Sequence, residues 1–325
     1  MADGLARYWS VASRWLPFVV MPLALLQPIQ RTAGHDFRDL GIDAHVYYHG
    51  AAAWLAGQDP WNAAFDGLHF ASLPWTLPLL VPFVALPERI AAALAIGIDA
   101  VAAAYLVRRA GLPYTWLLFP PLVFGTLDGN PAIVALALIV AGAGPIGVLL
   151  RPQLGYALVG ERRWRAIGVT ALLVAILLPV VPWGTYLADF GAISARYVHE
   201  GGGGTTGGST AMLVVGLVAV LGLATVSWRE AGWLATVVVV PLNGWYAGAA
   251  AILFINPLLA IGFAPQIVDL PTITVVVYVM LRLLLHRRPA TRLAWVARSL
   301  IEPYHSTTTA PTASPRSRLS FLISG

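Results

Sequence analysis

Apolar stretches that approach the length of a bilayer crossing recur along almost the whole chain, and they constrain its fold more than any other feature. A helix needs about 20 apolar residues to cross a bilayer core. Only 11% of the 325 residues are charged, against about 25% in a soluble domain. The chain is therefore predicted to be an all-α polytopic membrane protein. The apolar stretches lie near 15–30, 74–87, 89–107, 113–127, 131–142, 144–159, 166–183, 211–227, 232–256 and 262–285.

Composition excludes several other classes of protein. The chain has no cysteine, which excludes disulfides, thiol nucleophiles and cysteine metal sites. It lacks the residue alternation of a membrane β-barrel. All 20 basic residues are arginine, and their excess is typical of cytoplasmic loops rather than of a nucleic-acid surface. We expect no nucleic-acid partner. No small-residue cleavage site follows the first apolar stretch, so we expect it to remain as a helix.

Arginine placement predicts an orientation. Clusters at 162–165 and 287–298 are expected in the cytoplasm, and with a cytoplasmic N-terminus this requires about ten transmembrane helices. Loops 31–73 and 184–210 then face outward. This orientation places Arg108 and Arg109 outside, against the general enrichment of arginine in cytoplasmic loops.

The predicted organisation has two parts. Residues 1–285 form the transmembrane domain. Residues 286–325 form a basic, Ser/Thr/Pro-rich cytoplasmic tail, whose composition is typical of disorder. We expect a multi-pass protein of the plasma membrane.

The first outer loop concentrates the scarce acidic residues. Five aspartates lie between 31 and 73: Asp36, Asp39, Asp43, Asp59 and Asp66. From Asp43 to about Ala56 the residues favour a helix that lies in the membrane interface. Trp54 and Trp61 suit headgroup depth, and the segment 58–61, which contains a proline, ends the helix.

Five side chains of this predicted helix carry chemistry: Asp43, His45, Tyr47, Tyr48 and His49. A carboxylate with imidazoles and phenols can bind a sugar hydroxyl, hold a phosphate or remove a proton. A solvated interfacial loop is the alternative interpretation. Two histidines four residues apart can also share a metal ion on a helix, but we expect no metal here.

The second outer loop ends in a glycine-rich segment. Arg196, Tyr197 and His199 precede the segment 201–208, which is mostly glycine. Such a segment does not hold one shape at low cost in entropy. It is either a flexible linker or part of a mobile lid over an outward-facing cavity.

Several polar residues lie in or beside apolar stretches. Arg151 either extends to an interface or binds a phosphate group. Asn130 either caps a helix or binds sugar. Asp99 and Asp128 each suit a helix end, and Asp128 is also a candidate for the site.

At this point the chain resembles a known family. Ile42-Asp43-Ala44-His45-Val46-Tyr47, followed by Gly50-Ala51-Ala52-Ala53, is similar to the first-loop motif of glycosyltransferase family 87. Within it, the polyprenol-phosphate-mannose-dependent mannosyltransferases of actinobacteria, of the GT-C class, are most similar. The resemblance covers roughly residues 15–250. Its further motifs are Leu73–Pro78, Gly129–Asn130, Arg151–Gln153, Arg162–Arg165 and Pro241–Trp245.

The resemblance implies a GT-C-type bundle and an inverting transfer on the outer face of the membrane. The donor would be a sugar, mannose by preference, on a polyprenyl phosphate, and the acceptor a lipid or glycan. No cofactor is implied beyond this donor. Asp43 would be the general base. The donor-binding candidates are His45, Tyr47, Tyr48, Arg151, Arg196 and His199. The candidates that line the cavity are Asp36, Asp39, Asp59, Asn130, Gln153, Tyr197, Asn243 and Trp245.

Two other functions fit a membrane protein of this composition. A transporter or flippase of lipid-linked sugars would show internal repeats with paired broken helices, and no clear repeat is present. A catalytically degenerate scaffold that only binds lipid would not need Asp43.

Overall fold

The computed structural model describes residues 14–22, 40–200, 209–240, 245–265, 267, 269–287 and 300–301. Several predictions fall outside this part of the chain. They concern Asp36, Asp39, Asn243, the side chain of Trp245, the glycine-rich segment and nearly all of the tail.

The described residues are mostly helical, as predicted. The helices, in chain order, are α1 (14–20), α2 (Ile42–Leu55), α3 (Leu77–Val84), α4 (Glu88–Arg109), α5 (Pro120–Leu127), α6 (Ala132–Ala141), α7 (Gly144–Leu150), α8 (Gly155–Gly160), α9 (Trp164–Leu177), α10 (Trp183–His199), α11 (Thr210–Ala224), α12 (Trp228–Val238), α13 (Pro257–Phe263) and α14 (Leu270–Arg287). A 3₁₀ helix, Trp245–Phe254, precedes α13. A short hairpin pairs β1 (Ala64–Phe65) with β2 (Leu68–His69), with Ala64 opposite His69.

Among the described residues, two helices are long and apolar enough to cross a membrane, α4 and α14. A third crossing is possible if α5 and α6, which meet at an angle of 114°, form one broken span. The other apolar helices are shorter, because proline and glycine interrupt the stretches read from the sequence. The stretch 144–159, for example, breaks at Arg151–Pro152. The count of about ten spans remains a prediction.

Large apolar side chains cover the outside of the helices. Every residue of α9 is at least partly exposed. Val101 on α4 is 72% exposed, Val218 on α11 is 63% exposed and Met280 on α14 is 64% exposed. Soluble monomers rarely expose apolar surface to this extent. A lipid environment removes this conflict, which supports association with a membrane.

Helices α8 and α12 cross at two glycines. A Cβ atom added to Gly232 would lie 2.5 Å from the Cα of Gly160. Small residues permit this close approach. Close van der Waals packing of this kind holds helices together in lipid, whose tails are as apolar as the side chains.

The described residues 40–73 of the predicted first outer loop fold onto their own apolar cluster. The predicted helix is confirmed as α2, and it ends at Leu55, before the segment that contains Pro60. The depth of Trp61 in a membrane stays a prediction. Trp61 is fully buried, and its indole Nε1 donates to the carbonyl of Ser72 at 3.0 Å, because it packs against Phe70 and Tyr186.

The segment predicted as the second outer loop differs from the prediction. Residues predicted as loop from 184 onward continue as helix α10 up to His199. Apolar residues recur there at helical spacing, and Tyr186 and Ile193 are buried against the cluster beneath the first loop. This packing places the end of α10 beside α2.

Candidate functional site

The site begins at the first turn of α2. Gly41 precedes the helix with φ of 80°, a left-handed conformation that glycine adopts without steric cost. The amide of Gly41 donates to the carbonyl of Leu127 at 2.8 Å, and that of Ala44 donates to the carbonyl of Asp128 at 3.1 Å. These bonds fix Asp43 at the positive end of the α2 dipole, which favours a carboxylate.

Asn130 joins Asp43 to Arg151. Its Nδ2 donates to Oδ2 of Asp43 at 2.5 Å, and its Oδ1 accepts from Nη2 of Arg151 at 2.5 Å. The same oxygen accepts the amide of Ala132 at 2.9 Å, so Asn130 also caps α6. The interpretation that Asn130 satisfies a helix end is confirmed, and its binding of sugar stays a prediction. Its orientation is determined, because only the amide nitrogen can donate to a carboxylate.

Asp99 supports the same helix end. This residue of α4 is 2% exposed, and its Oδ1 accepts the amide of Val134 at 3.1 Å. The interpretation that Asp99 satisfies a helix end is confirmed. Together with Asn130 it anchors the start of α6, on which the position of the Asp43 network depends.

The Arg151 guanidinium is half-buried between aromatic and amide groups. It lies over the ring of Tyr47, with Cζ 5.5 Å from the ring centroid. In the described part of the chain it has no carboxylate within ion-pair distance, and its buried Nε–H has no hydrogen-bond partner. A buried donor of this kind is costly unless a ligand satisfies it.

Two tyrosines complete the polar cluster. The hydroxyl of Tyr246 donates to Oδ2 of Asp128, the residue that follows α5. Tyr197, near the end of α10, lies close enough to Asp43 and Arg151 for their charges to act on it. Tyr197 is therefore near Asp43, but it is not among the residues that line the small cavity beside Arg151.

Burial raises the pKa of Asp43 above the usual value of an aspartate. The hydrogen bond from Asn130 and the positive charge of Arg151 act in the opposite direction, since both favour the carboxylate. The net direction is upward. A carboxyl group with a raised pKa is a stronger base than an exposed aspartate.

A small cavity adjoins this cluster. Its polar lining consists of Arg151, Gln153, Thr236 and Tyr246. Leu154 and apolar residues of α6 and of the 3₁₀ helix Trp245–Phe254 contribute the rest. Gln153 therefore lies at a cavity, and its place in a substrate site stays a prediction. Asp43 is not part of the lining; Asn130 connects it to Arg151 at the wall.

The two histidines of α2 point away from this cluster. His45 Nδ1 and His49 Nε2 lie 2.6 and 3.0 Å from the same oxygen of Glu88. The ring of His45 also stacks on Phe65, with the ring centroids 4.4 Å apart. The Tyr48 hydroxyl donates to the carbonyl of Leu86. His45 thus contacts the first residue of α4, and Tyr48 contacts the turn before it, rather than Arg151.

The remaining predicted residues lie at the edge of the first loop. Arg196 Nη1 donates to Oδ1 of Asn62 at 3.1 Å. Asp59 caps the turn that follows α2, accepting the amide of Trp61 at 3.0 Å. His199 is exposed at the end of α10. These three residues are not in the Asp43 network.

Glu200 fastens the hairpin to the end of α10. Its carboxylate accepts the backbone amide of His69 at 3.0 Å and lies 2.6 Å from Nδ1 of the same residue. This contact explains how α10 is held over the first loop, with Tyr197 close to Asp43.

Sequence reasoning missed Tyr246 and Glu88 and left Asp128 as a candidate without a partner. Acidic residues beside apolar stretches were a signal for Asp128 and Glu88, because charges are rare there. Tyr246 gave no signal of its own. No group of three or more His, Asp or Glu suited to a metal ion occurs within the described ranges.

No family model, no curated protein and no solved structure matches this chain. The resemblance to glycosyltransferase family 87 therefore rests on the motifs alone.

Proposed function

We propose that this chain is a membrane glycosyltransferase of the GT-C type. It transfers a sugar, with mannose the expected hexose, from a polyprenyl phosphate to a lipid or glycan acceptor on the outer face of the plasma membrane. The ten-helix bundle and the membership of glycosyltransferase family 87 are part of the proposal. The observation that carries it is the Asn130 bridge, which joins a carboxylate to an arginine that has no carboxylate partner in the described part of the chain.

Asp43 suits the role of general base. Its raised pKa means that it binds a proton from an acceptor hydroxyl more readily than an exposed aspartate does. The acceptor oxygen, as it loses its proton to Asp43, attacks the anomeric carbon from the side opposite the phosphate. The bond between that carbon and the phosphate oxygen breaks, and the anomeric configuration inverts.

Arg151 suits the leaving group. A lipid phosphate departs as an anion, so it needs stabilisation of negative charge more than a proton. The Arg151 guanidinium has a buried N–H without a partner in the described part of the chain, and its fork of donors fits phosphate oxygens. The ring of Tyr47 makes a cation–π contact with the guanidinium.

The site has to open before a polyprenyl-phosphate donor can bind. The cavity beside Arg151 is small, and several of its walls are apolar, among them Leu136, Leu154 and Ala250. An isoprenoid chain is compatible with such walls. The end of α10, beside the site, is fastened to the hairpin by the contact between Glu200 and His69.

The test is transfer of radiolabelled mannose from polyprenyl-phosphate-mannose to total membrane lipids. Wild type should form product, and Asp43→Asn should lose it. The matched control is Asp66→Asn, which removes a carboxylate from the exposed tip of the same loop, at φ of 49°. Asparagine tolerates that conformation, so this variant should retain wild-type transfer.

Other outcomes lead to other conclusions. Product from Asp43→Asn at the wild-type rate would keep the transferase and reject Asp43 as the base. Donor binding by a folded wild-type protein without transfer would reject the transferase. It would favour the transporter or the lipid-binding scaffold.

A further inference from the structure

Asp128 differs from the other acidic residues around Asp43. Asp99 satisfies a helix end and Glu88 lies between two histidines. Asp128 has no cation within ion-pair distance in the part of the chain that the structure describes. It is half-buried, and its described side-chain bond comes from the neutral hydroxyl of Tyr246. A carboxylate placed in this way is well suited to accept hydrogen bonds from hydroxyl groups.

The backbone keeps Asp128 close to Asp43. The amides of Gly41 and Ala44, on either side of Asp43, donate to the carbonyls of Leu127 and Asp128. The turn continues through Gly129, whose φ is 65°, and an added Cβ there would lie 2.8 Å from the Cβ of Ala44. The turn therefore packs directly on the first turn of α2.

Tyr246 connects Asp128 to the cavity. The same tyrosine donates to the Asp128 carboxylate and lines the cavity together with Arg151 and Gln153. Tyr246 therefore links the Asp128 carboxylate to the cavity wall that Arg151 helps to form.

We propose that Asp128, held by Tyr246, binds a hydroxyl of the donor sugar and thereby selects the hexose. The inference rests on the proposed function, since it assigns the sugar specificity of that same site. A site built to hydrogen-bond a hydroxyl rejects the analogue that lacks it, because the protein group is then left unpaired.

The experiment compares polyprenyl-phosphate-mannose with donors that lack one hydroxyl, at C2, C3, C4 or C6. Wild type should use one of these deoxy donors about 10- to 100-fold less efficiently in kcat/KM, the range for a hydrogen bond to a charged group. Asp128→Asn should lose most of this preference for that donor and keep it for the others. Its amide oxygen still accepts from Tyr246, so the variant should fold.

Tyr246→Phe separates a binding role from a structural one. It removes the bond between α5 and the 3₁₀ helix but keeps the carboxylate. We expect it to lower transfer from every donor while retaining the wild-type ratio between mannose and the selected deoxy donor. If Asp128 only held the two helices together, both variants would lower transfer from all donors to the same extent, and the inference would be wrong.

Failure of this inference is distinct from failure of the proposed function. A wild-type protein that transfers nothing from the mannose donor overturns both. Transfer by wild type, with unchanged ratios for all four deoxy donors in Asp128→Asn, overturns only the role of Asp128. Asp128→Glu provides a second measurement, since it keeps the charge and should shift the preference rather than abolish it.

Discussion

Nδ2 of Asn130 donates a 2.5 Å hydrogen bond to Oδ2 of Asp43, a residue 87 positions earlier in the chain. The bond crosses from the turn before α6 to the first turn of α2. Its acceptor, Asp43, is the proposed base. The oxygen of the same Asn130 amide accepts a hydrogen bond from Arg151. One neutral side chain therefore sets the distance between the group that would take a proton and the group that would hold a phosphate.

Replacement of Asn130 by alanine tests this bridge. We expect kcat for sugar transfer to fall about 10- to 100-fold, because a hydrogen bond to a charged group contributes roughly 1.5–3 kcal/mol. The control is Asn62→Ala, an exposed asparagine outside the Asp43 network. Wild-type kcat in Asn130→Ala would contradict the role given to the bridge.

The pH dependence of transfer should report Asp43. A general base works only when deprotonated, so activity is lost as pH falls through its pKa. Burial raises the pKa of Asp43, and the acid limb of kcat/KM should therefore lie above pH 3.8, the usual value of an aspartate. Arg151→Gln removes a positive charge that favours the carboxylate, so it should move the limb to higher pH. A limb that stays in place would exclude Asp43 as the titrating group.

Gly129 should resist substitution for two reasons. A left-handed conformation costs a residue with a side chain about 1–2 kcal/mol, and the added Cβ would overlap that of Ala44. Gly129→Ala should lower both the melting temperature in detergent and the transfer rate. Gly142→Ala, at φ of 100° with open space around it, carries the strain without the overlap and should melt higher than Gly129→Ala.

The crossing of α8 and α12 should be equally sensitive. Gly232→Ala places a methyl group within 2.6 Å of the carbonyl oxygen of Tyr156, so backbone has to move. Overpacking of this kind costs about 1–3 kcal/mol. Gly168→Ala, on α9 with nothing within 4 Å of the added Cβ, should leave the melting temperature unchanged or raise it. Equal melting temperatures for the two variants would mean that this crossing is not tightly packed.

Glu161, between α8 and α9, should stabilise the fold only above acidic pH. Partial burial opposes its charge, but hydrogen bonds from Arg229 and Trp233 prevail and lower the pKa of Glu161. Stability from a lowered carboxyl pKa is present above the unfolded value, near 4.5, and is lost as pH falls through the folded value. Glu161→Gln should therefore melt below wild type at pH 7 and approach it at low pH. A constant difference between the two proteins would contradict this.

The sequence predicted the class of fold because that class follows from local chemistry. Apolar stretches and scarce charges indicate helices for a membrane, and the structure is mostly helical with two or three helices able to cross one. Helix α2 was predicted nearly to the residue, since the segment with Pro60 ends it. The interruptions were harder to read, because proline and glycine bend some helices and end others.

The sequence by itself determined which residues were candidates. Asp43, Arg151 and Asn130 stand out because charged and amide groups are rare in apolar surroundings and costly there. Only the tertiary structure decided their partners. His45 and Asp43 are two residues apart on α2, yet one faces Glu88 and the other faces Asn130, because residues two apart do not share a face of a helix. Tyr246 joined the site through packing alone, since a contact across 118 residues depends on how the helices assemble and leaves no local trace in the sequence.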